Sequence, residues 1–306
     1  MFFDEGSIVL QSITVFTPAY NRADLLPRCY DSMRSQTNQN FIWMIIDDGS
    51  TDNTRELVNL WKDEQHEFTV EYYYKDNGGL HTAYNEAIKH IKTELCVCID
   101  SDDFMPSDCI DKILKFWQKN GSDKYAGIVG LDYYISGKMI GDPLPNQKSV
   151  NLIDLITGRY KINNGDRTNV VRTELYKKYA PMKTFQNEKN FNPHYLHLQI
   201  SQKYDFLVMN ENLRFVDYQS TGMSNSMLKQ YRNSPNSFAE TRKLYLSFPN
   251  TSLKFKFKHS IHLVSSCILA EKASKALSYS PCKFITALAI PFGWLLSKYI
   301  KYKTRV

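Results

Sequence analysis

Three carboxylates occur within four positions of this chain, at Asp100, Asp102 and Asp103, directly after the apolar run of residues 95–99. An uninterrupted apolar run is typical of a strand buried on both faces of a parallel sheet, and open α/β sheets bind ligands at the carboxyl ends of such strands. Like charges this close repel each other, so the cluster is stable mainly when a cation lies among them. Oxygen ligands select Mg²⁺ or Mn²⁺. The alternative is an acidic turn that caps the next helix, which would need only one acceptor, from Asp103 or Ser107.

A second acidic pair, Asp47 and Asp48, follows the apolar run of residues 41–46. Asp52 could cap the helix that comes next, which accounts for one acid of this region but not for the pair. Two strands that end in carboxylates predict one shared crevice at the edge of a sheet.

The rest of the first half alternates between strand and helix patterns. Strands are predicted over residues 13–16, 41–46, 68–74, 95–99 and 126–131, and helices over residues 22–36, 54–61, 80–91 and 108–118. This alternation predicts an α/β fold with a parallel, doubly wound sheet. The turn after the first strand, residues 17–21, contains no glycine, which disfavours a dinucleotide-binding fold. Residues 132–215 are less regular and mix Tyr, Asn and Gly with short apolar runs.

Charge is distributed unevenly along the 306 residues. Residues 241–306 hold 12 Lys or Arg and the single acid Glu271, whereas the first 240 residues carry a net charge of −5. A basic, apolar tail on a mildly acidic body predicts an anionic membrane surface as its partner, and not nucleic acid. The six cysteines show neither a CxxC pair nor zinc-ligand spacing, which predicts reduced thiols.

The tail contains a stretch of 13 residues, 284–296, in which only Thr286 is polar. A spanning helix needs about 20 apolar residues, and Pro291 and Gly293 are expected to interrupt this one. An apolar stretch beside a basic cluster predicts an in-plane membrane anchor, and the alternative is a core helix packed on the domain. The amino terminus is acidic and lacks a signal-peptide pattern, so we expect a location on the cytoplasmic face of the membrane.

Four ordered segments carry a resemblance: TVFTPAYNR, DDGSTD, NGGLHTAYNEAI and CIDSDDFMP, between residues 11 and 130. Together they resemble the successive motifs of the family 2 inverting nucleotide-sugar glycosyltransferases of the GT-A fold. The resemblance implies a Rossmann-like, mostly parallel sheet over residues 1–240, divided into a nucleotide-sugar region (11–130) and an acceptor side (131–240). The basic helical extension would then comprise residues 241–306.

The resemblance also implies a reaction and a set of donor contacts. The reaction is transfer of a hexosyl or N-acetylhexosaminyl group from a nucleoside diphosphate to an acceptor hydroxyl, with inversion at the anomeric carbon. Mn²⁺ or Mg²⁺ would stabilise the leaving diphosphate, held by Asp100 and above all by Asp102. The residues that match donor-binding positions are Pro18, Tyr20, Asn21, Asp47, Asp48, Gly78, Gly79, Ala83, Asn85, Asp100, Ser101 and Asp102. Asp48 would accept the N–H of uracil, which favours a UDP-sugar, and His81 would cover the diphosphate or face solvent.

The catalytic base stays open among three residues. The family has an acidic residue soon after a proline in a later segment, whereas this chain has His194 after Pro193. Glu188, His194 or Asp103 could take the proton of the acceptor, and histidine has an ordinary pKa near 6.5. The segment 222–224 and Arg232 resemble the closing loop of the family.

Other protein classes fit the pattern less well. A nucleotidyltransferase would need a glycine-rich loop after the first strand, which is absent. A HAD-type phosphatase would need a small residue where this chain has Phe104, and an EF-hand would need a glycine where it has Met105. A membrane-associated nucleotide-binding scaffold without catalysis remains the second hypothesis, supported by His194. The leading hypothesis is a glycosyltransferase that extends a lipid-linked glycan for surface polysaccharide such as capsule or O-antigen, because a tethered enzyme meets a membrane acceptor at high effective concentration.

Overall fold

The computed structural model describes residues 13–218 and 226–305. Within these residues, eight strands form one sheet in the order β3-β2-β1-β4-β7-β5-β8-β6. The strands are β1 (Ile13–Ala19), β2 (Phe41–Asp47), β3 (Thr69–Tyr74), β4 (Leu95–Cys98), β5 (Tyr125–Tyr134), β6 (Ser149–Val150), β7 (Arg167–Arg172) and β8 (Asp205–Val216). Strands β1 to β4 are parallel, β5 and β8 run with them, and β6 and β7 run in the opposite direction. The mostly parallel sheet confirms the predicted α/β class.

Helices cover both faces of the sheet, as the doubly wound pattern predicts. On one face, α1 (Leu26–Arg34), α2 (Thr54–Asp63) and α4 (Cys109–Asn120) bury apolar side chains against β1 and β2. On the other face lie α3 (Leu80–His90), α5 (Leu152–Thr157), α6 (Thr173–Tyr179) and α7 (His194–Ser201). Side chains alternate between the faces along β1, since Val15 points to the first cluster and Phe16 to the second.

Strand β1 is longer than expected from the sequence. It continues to Ala19 because Pro18 pairs with Ile46 of β2, whereas the pairing of β1 with β4 ends at Phe16. Proline cannot donate a hydrogen bond to a sheet, and here it lies beyond the last residue that pairs with β4. The loop after β1 therefore begins at Tyr20, at the carboxyl edge of the sheet.

The C-terminal part is helical: α8 (Met227–Asn233), α9 (Pro235–Ser247), α10 (Leu253–Leu269), α11 (Ala276–Tyr279) and α12 (Lys283–Lys303). The expected boundary at residue 240 falls inside α9, whose Ala239 and Leu246 share a small core with α10. The helical unit therefore begins before residue 240.

The expected interruption of the last helix was wrong. Helix α12 continues through Pro291 and Gly293, and a side chain at Gly293 would lie 2.5 Å from Val264 of α10, so glycine permits the close approach of the two helices. In the described part of the chain, no helix has both the length and the apolar character that crossing a membrane requires.

Candidate active site

A cavity of about 400 Å³ lies at the carboxyl edge of the sheet, beyond the ends of β1, β2 and β4. This volume lies within the usual range for small-molecule sites. The predicted residues that line it are Pro18, Tyr20, Asp48, Ala83, Asp100, Ser101, Asp102 and Asp103. The expected shared crevice is therefore present, and the parallel direction of the strands is its cause.

Arg214 of β8 lies among the carboxylates of this cavity. The backbones of Phe104 and Phe215 exchange two hydrogen bonds, of 3.2 and 2.8 Å, in an antiparallel bridge that holds the segment after β4 against the end of β8. The guanidinium of Arg214 lies 3.4 Å from Asp100 and 3.4 Å from Asp103, and it forms an ion pair with the wholly buried Asp132.

Charge repulsion among the three acids therefore does not by itself require a metal ion, contrary to the expectation from the sequence. The cation that makes the acidic cluster tolerable is supplied by the chain itself, and Arg214 is 111 residues beyond Asp103, so no local pattern revealed it. Even so, burial together with the charges of Asp100 and Asp102 raises the pKa of Asp103 to about 8, against the opposing effect of Arg214. Asp103 is thus mostly protonated near neutral pH, which makes it a poor candidate for the base.

Asp102 has the features of a metal ligand. Arg28 of α1 donates a hydrogen bond of 2.5 Å to the backbone carbonyl oxygen of Asp102. The carboxylate of Asp102 is partly exposed in the cavity and has no hydrogen bond or ion pair within residues 13–218 and 226–305. No group of three His, Cys, Asp or Glu side chains in these residues could hold a metal ion by itself. Two carboxylates nevertheless fit Mg²⁺ or Mn²⁺, because such ions complete their coordination with water and substrate phosphates.

The two acids after β2 have structural partners. Asp47 is buried and accepts hydrogen bonds from the Ser50 amide at 2.7 Å and from the Tyr72 hydroxyl at 2.6 Å. The carboxylate of Asp48 accepts bonds from the amides of Gly78 (3.0 Å) and Gly79 (2.7 Å), and pairs with Lys75 at 2.5 Å.

Gly78 and Gly79 match donor-binding positions of the family, but neither lines this cavity. Their amides bind Asp48, and a side chain at Gly79 would lie 2.0 Å from the carbonyl oxygen of Lys189. Gly79 thus permits close packing of two protein segments. Asp48 still lines the cavity, but its carboxylate is largely occupied by the turn that it organises.

Three further predicted residues have roles within the fold. Asn85 exchanges hydrogen bonds of 2.9 and 2.7 Å with the backbone of Met182, so it positions a loop and does not line the cavity. Asn21 has a positive φ of 52° and accepts a bond from the Thr51 amide at 2.8 Å, which joins the loops after β1 and β2. His81 is wholly buried, contrary to both expected roles, and burial lowers its pKa.

Glu188 does not line the cavity at the ends of β1, β2 and β4. Its carboxylate is 6% exposed and accepts four hydrogen bonds of 2.6–2.8 Å from the backbone and side chains of Asn236 and Ser237, in the first turn of α9. A carboxylate at a helix N-terminus satisfies free amides and the helix dipole. The prediction of Glu188 as base is therefore corrected to a capping role.

A second cavity of about 740 Å³ adjoins the first and shares part of its lining. His194 lines it, and burial lowers the pKa of His194 to about 4, so this imidazole is neutral near pH 7. Much of the remaining lining is polar and suited to hydroxyl groups: Asn164, Asp166, Arg167, Asn169, Asn190, Asn192, Gln230.

Asp166 was missed in the sequence because it precedes a strand. Strand β7 runs against its neighbours, so its beginning, and not its end, lies at the edge where the carboxylates converge. Asp166 lines both cavities and accepts a hydrogen bond from the hydroxyl of Tyr218.

Of the residues that resemble the closing loop of the family, Arg232 is among those that the structure describes. Residues 222–224 are outside the described residues. Arg232 donates hydrogen bonds to the carbonyl oxygen (2.5 Å) and hydroxyl (3.2 Å) of Thr304, at the end of α12, and so has a structural role away from the cavities.

The fold and the acidic cavity define a GT-A domain, and solved structures of this fold resemble the chain. Residues 1–349 of S. aureus TarS in complex with UDP-GlcNAc superpose with a TM-score of 0.59 at 15% identity, over 95% of this chain and 91% of that one. The mannosyltransferase PcManGT from Pyrobaculum calidifontis, in complex with GDP-Man and Mn²⁺, gives a TM-score of 0.56 at 15% identity, over 96% and 88%.

The family follows from the sequence match. Residues 14–232 match the model of glycosyl transferase family 2, and the chain belongs to this family. It is 36% identical over 109 residues to the chondroitin synthase of Pasteurella multocida, and 32% identical over 124 residues to the poly(ribitol-phosphate) beta-glucosyltransferase of Bacillus spizizenii. These matches cover 35% and 39% of this chain, but only 11% and 20% of the relatives.

Proposed function

We propose that the protein transfers a sugar from a UDP-sugar to a hydroxyl of a lipid-linked glycan, with inversion and with Mg²⁺ or Mn²⁺, in the synthesis of a surface polysaccharide or teichoic acid. The observation that carries the proposal is the cavity at the ends of β1, β2 and β4, in which the carboxylate of Asp102, without a partner in the described part of the chain, lies beside Asp100. Membership of family 2 supports the reaction, and the names of the two relatives support the class of product.

The donor fits the first cavity in size and chemistry. Tyr20 is 47% exposed at the rim, where an aromatic ring is suited to stack on a nucleobase. Asp100 and Asp102 would hold the metal ion, which supplies Lewis-acid stabilisation of the leaving diphosphate. The UDP-GlcNAc bound to TarS supports a uracil nucleotide as donor.

The membrane surface as partner is supported by α12. Six large side chains follow helical spacing along its outer face and are 50–77% exposed: Phe284, Leu288, Phe292, Leu295, Tyr299, Tyr302. The face packed on the protein carries mostly small residues, among them Thr286, Ala289, Gly293 and Ser297. This is the reverse of a helix that faces water. Exposed lysines border the apolar face, and such a helix fits the interface of an anionic bilayer on the cytoplasmic side.

Nucleotide release from a panel of sugar nucleotides tests the proposal. We expect UDP to be released from a UDP-sugar, and not GDP or dTDP from their sugars, only with Mn²⁺ or Mg²⁺ present. Asp102→Ala should abolish release, whereas Asp123→Asn, at the opposite edge of the sheet, should not. Nucleotide binding without release, even with a crude lipid acceptor, would contradict the transferase and favour a nucleotide-binding scaffold.

A further inference from the structure

Five residues line both cavities: Leu80, Asp100, Asp166, Arg214 and Tyr218. If a sugar donor occupies one cavity and a hydroxyl acceptor the other, the reacting atoms meet beside these five. We propose that Asp166 is the general base that takes the proton of the acceptor hydroxyl, and that Tyr218 positions its carboxylate. The inference rests on the proposed function and assigns a residue to its proton transfer.

The other residues at the junction are unsuited to accept this proton. Arg214 is a cation held by three carboxylates, and Asp100 lies 3.4 Å from it and is paired with Asp102 in the candidate metal site. Burial and the hydrogen bond to Asp166 raise the pKa of Tyr218, so this hydroxyl keeps its proton and donates it to Asp166. Asp166 is the carboxylate of the junction that is exposed and has no ion pair in the described residues.

The backbone around Asp166 is held firmly. Gly165 packs against residues 140 and 141 so closely that a side chain there would lie 2.5 Å from the carbonyl oxygen of Ile140. Arg167 donates hydrogen bonds to the carbonyl oxygens of Ile140 at 2.6 Å and Asp142 at 2.5 Å. Asp166 therefore extends from a fixed strand end, and a base needs such a fixed position to act on a bound hydroxyl.

The three residues that the sequence offered as the base are less well placed than Asp166. Glu188 caps α9, Asp103 is buried beside Arg214, and His194 lines the acceptor cavity without reaching the donor cavity. His194 is the strongest competitor because its imidazole is neutral.

In the proposed step, the acceptor oxygen forms a bond to the anomeric carbon while the bond from that carbon to the diphosphate oxygen breaks. The electron pair of the broken bond leaves with the diphosphate. The proton of the hydroxyl passes to a carboxylate oxygen of Asp166, which returns it to solvent after the product leaves.

Comparison of two nucleophiles tests this assignment without a known acceptor. Water must lose a proton as it attacks the sugar, whereas azide carries no proton. Release of UDP from UDP-GlcNAc and UDP-glucose would be measured with water alone and with added azide, for the full chain and for the variants Asp166→Asn, Tyr218→Phe, His194→Gln and Asp123→Asn. Binding of UDP would be measured by calorimetry in parallel.

We expect Asp166→Asn to lower hydrolysis about 100-fold while azide-dependent release and UDP binding change by less than about threefold. Tyr218→Phe should show the same selectivity to a smaller degree, and Asp123→Asn should change neither rate. Equal losses with both nucleophiles, unchanged hydrolysis, or a selective loss in His194→Gln would each overturn the assignment to Asp166. Absence of UDP release from the unaltered protein with either nucleophile would instead refute the proposed function.

Discussion

Arg214 and Asp132 lie opposite each other on the parallel strands β8 and β5, and their side chains form an ion pair that is almost wholly removed from solvent. Asp132 also accepts a hydrogen bond from the Thr168 hydroxyl at 2.6 Å. The pair fixes the guanidinium where it also lies 3.4 Å from Asp100 and 3.4 Å from Asp103. The acidic cavity is thus balanced by a cation that belongs to the sheet.

Removal of this cation should destabilise the protein strongly. Arg214→Leu leaves Asp132 buried without a counter-charge, and we expect a loss of about 3–5 kcal/mol in the free energy of unfolding. Urea unfolding measures it. The double variant Arg214→Leu with Asp132→Leu should recover part of the loss, and a single variant as stable as the parent would contradict the buried pair.

Glu188→Gln should affect stability more than catalysis. The amide group of glutamine would face the donors of Asn236 and Ser237, so we expect a loss of about 1–2 kcal/mol in stability. The rate of UDP release at saturating donor should stay within a few-fold of the parent at a temperature where both are folded. A large loss of rate with unchanged unfolding would restore Glu188 as the base.

Two glycines with positive φ test the packing and the backbone conformation at the Asp48 turn. Gly158 (φ 77°, ψ 22°) is in the left-handed helical region and a side chain there would meet nothing within 4 Å, so Gly158→Ala should cost only the backbone strain, about 1 kcal/mol. Gly79 (φ 92°, ψ 166°) has a conformation that essentially only glycine adopts, and a side chain there would clash with the Lys189 carbonyl, so Gly79→Ala should cost about 3 kcal/mol or more. Thermal or urea unfolding compares the two, and equal costs would contradict the close contact.

Binding to anionic vesicles should depend on the outer face of α12. The double variant Leu288→Glu with Leu295→Glu should reduce flotation with vesicles that contain phosphatidylserine, because charge replaces apolar contact. Leu60→Glu is the control for the single variant Leu288→Glu, which adds the same charge, since Leu60 is similarly exposed (65% against 55%) on α2 of the catalytic domain. Equal flotation of both variants would exclude α12 as the membrane-binding element.

Acid should destabilise the fold through its buried histidines. Burial lowers the pKa of His197 and His259 to about 3, and that of His194 and His262 to about 4. In the unfolded chain these histidines bind protons near pH 6.5. Each histidine therefore lowers the free energy of unfolding as pH falls from about 6.5 towards its native pKa, by up to about 1.4 kcal/mol per pH unit. The unfolding temperature should fall between about pH 7.5 and 5, and less steeply in His197→Gln.

Local patterns predicted the first half of the fold well. The strands and helices to residue 131 follow from apolar runs and their spacing, and the acids at strand ends follow from the parallel sheet. Arg214 and Asp166 were missed because their positions depend on the order of β7, β5 and β8, whose pairing joins residues far apart in the chain. The roles of Glu188 and Gly79 depend on contacts between distant segments, which no spacing rule encodes.

The outward apolar face of α12 has a consequence for how a substrate would be found. A protein that lies on a bilayer searches in two dimensions, so its encounter rate with a lipid-linked substrate depends on the surface density of that lipid and not on its amount per volume of cell. Dilution of the lipid within the membrane would then slow the reaction even when the total quantity of substrate stays the same.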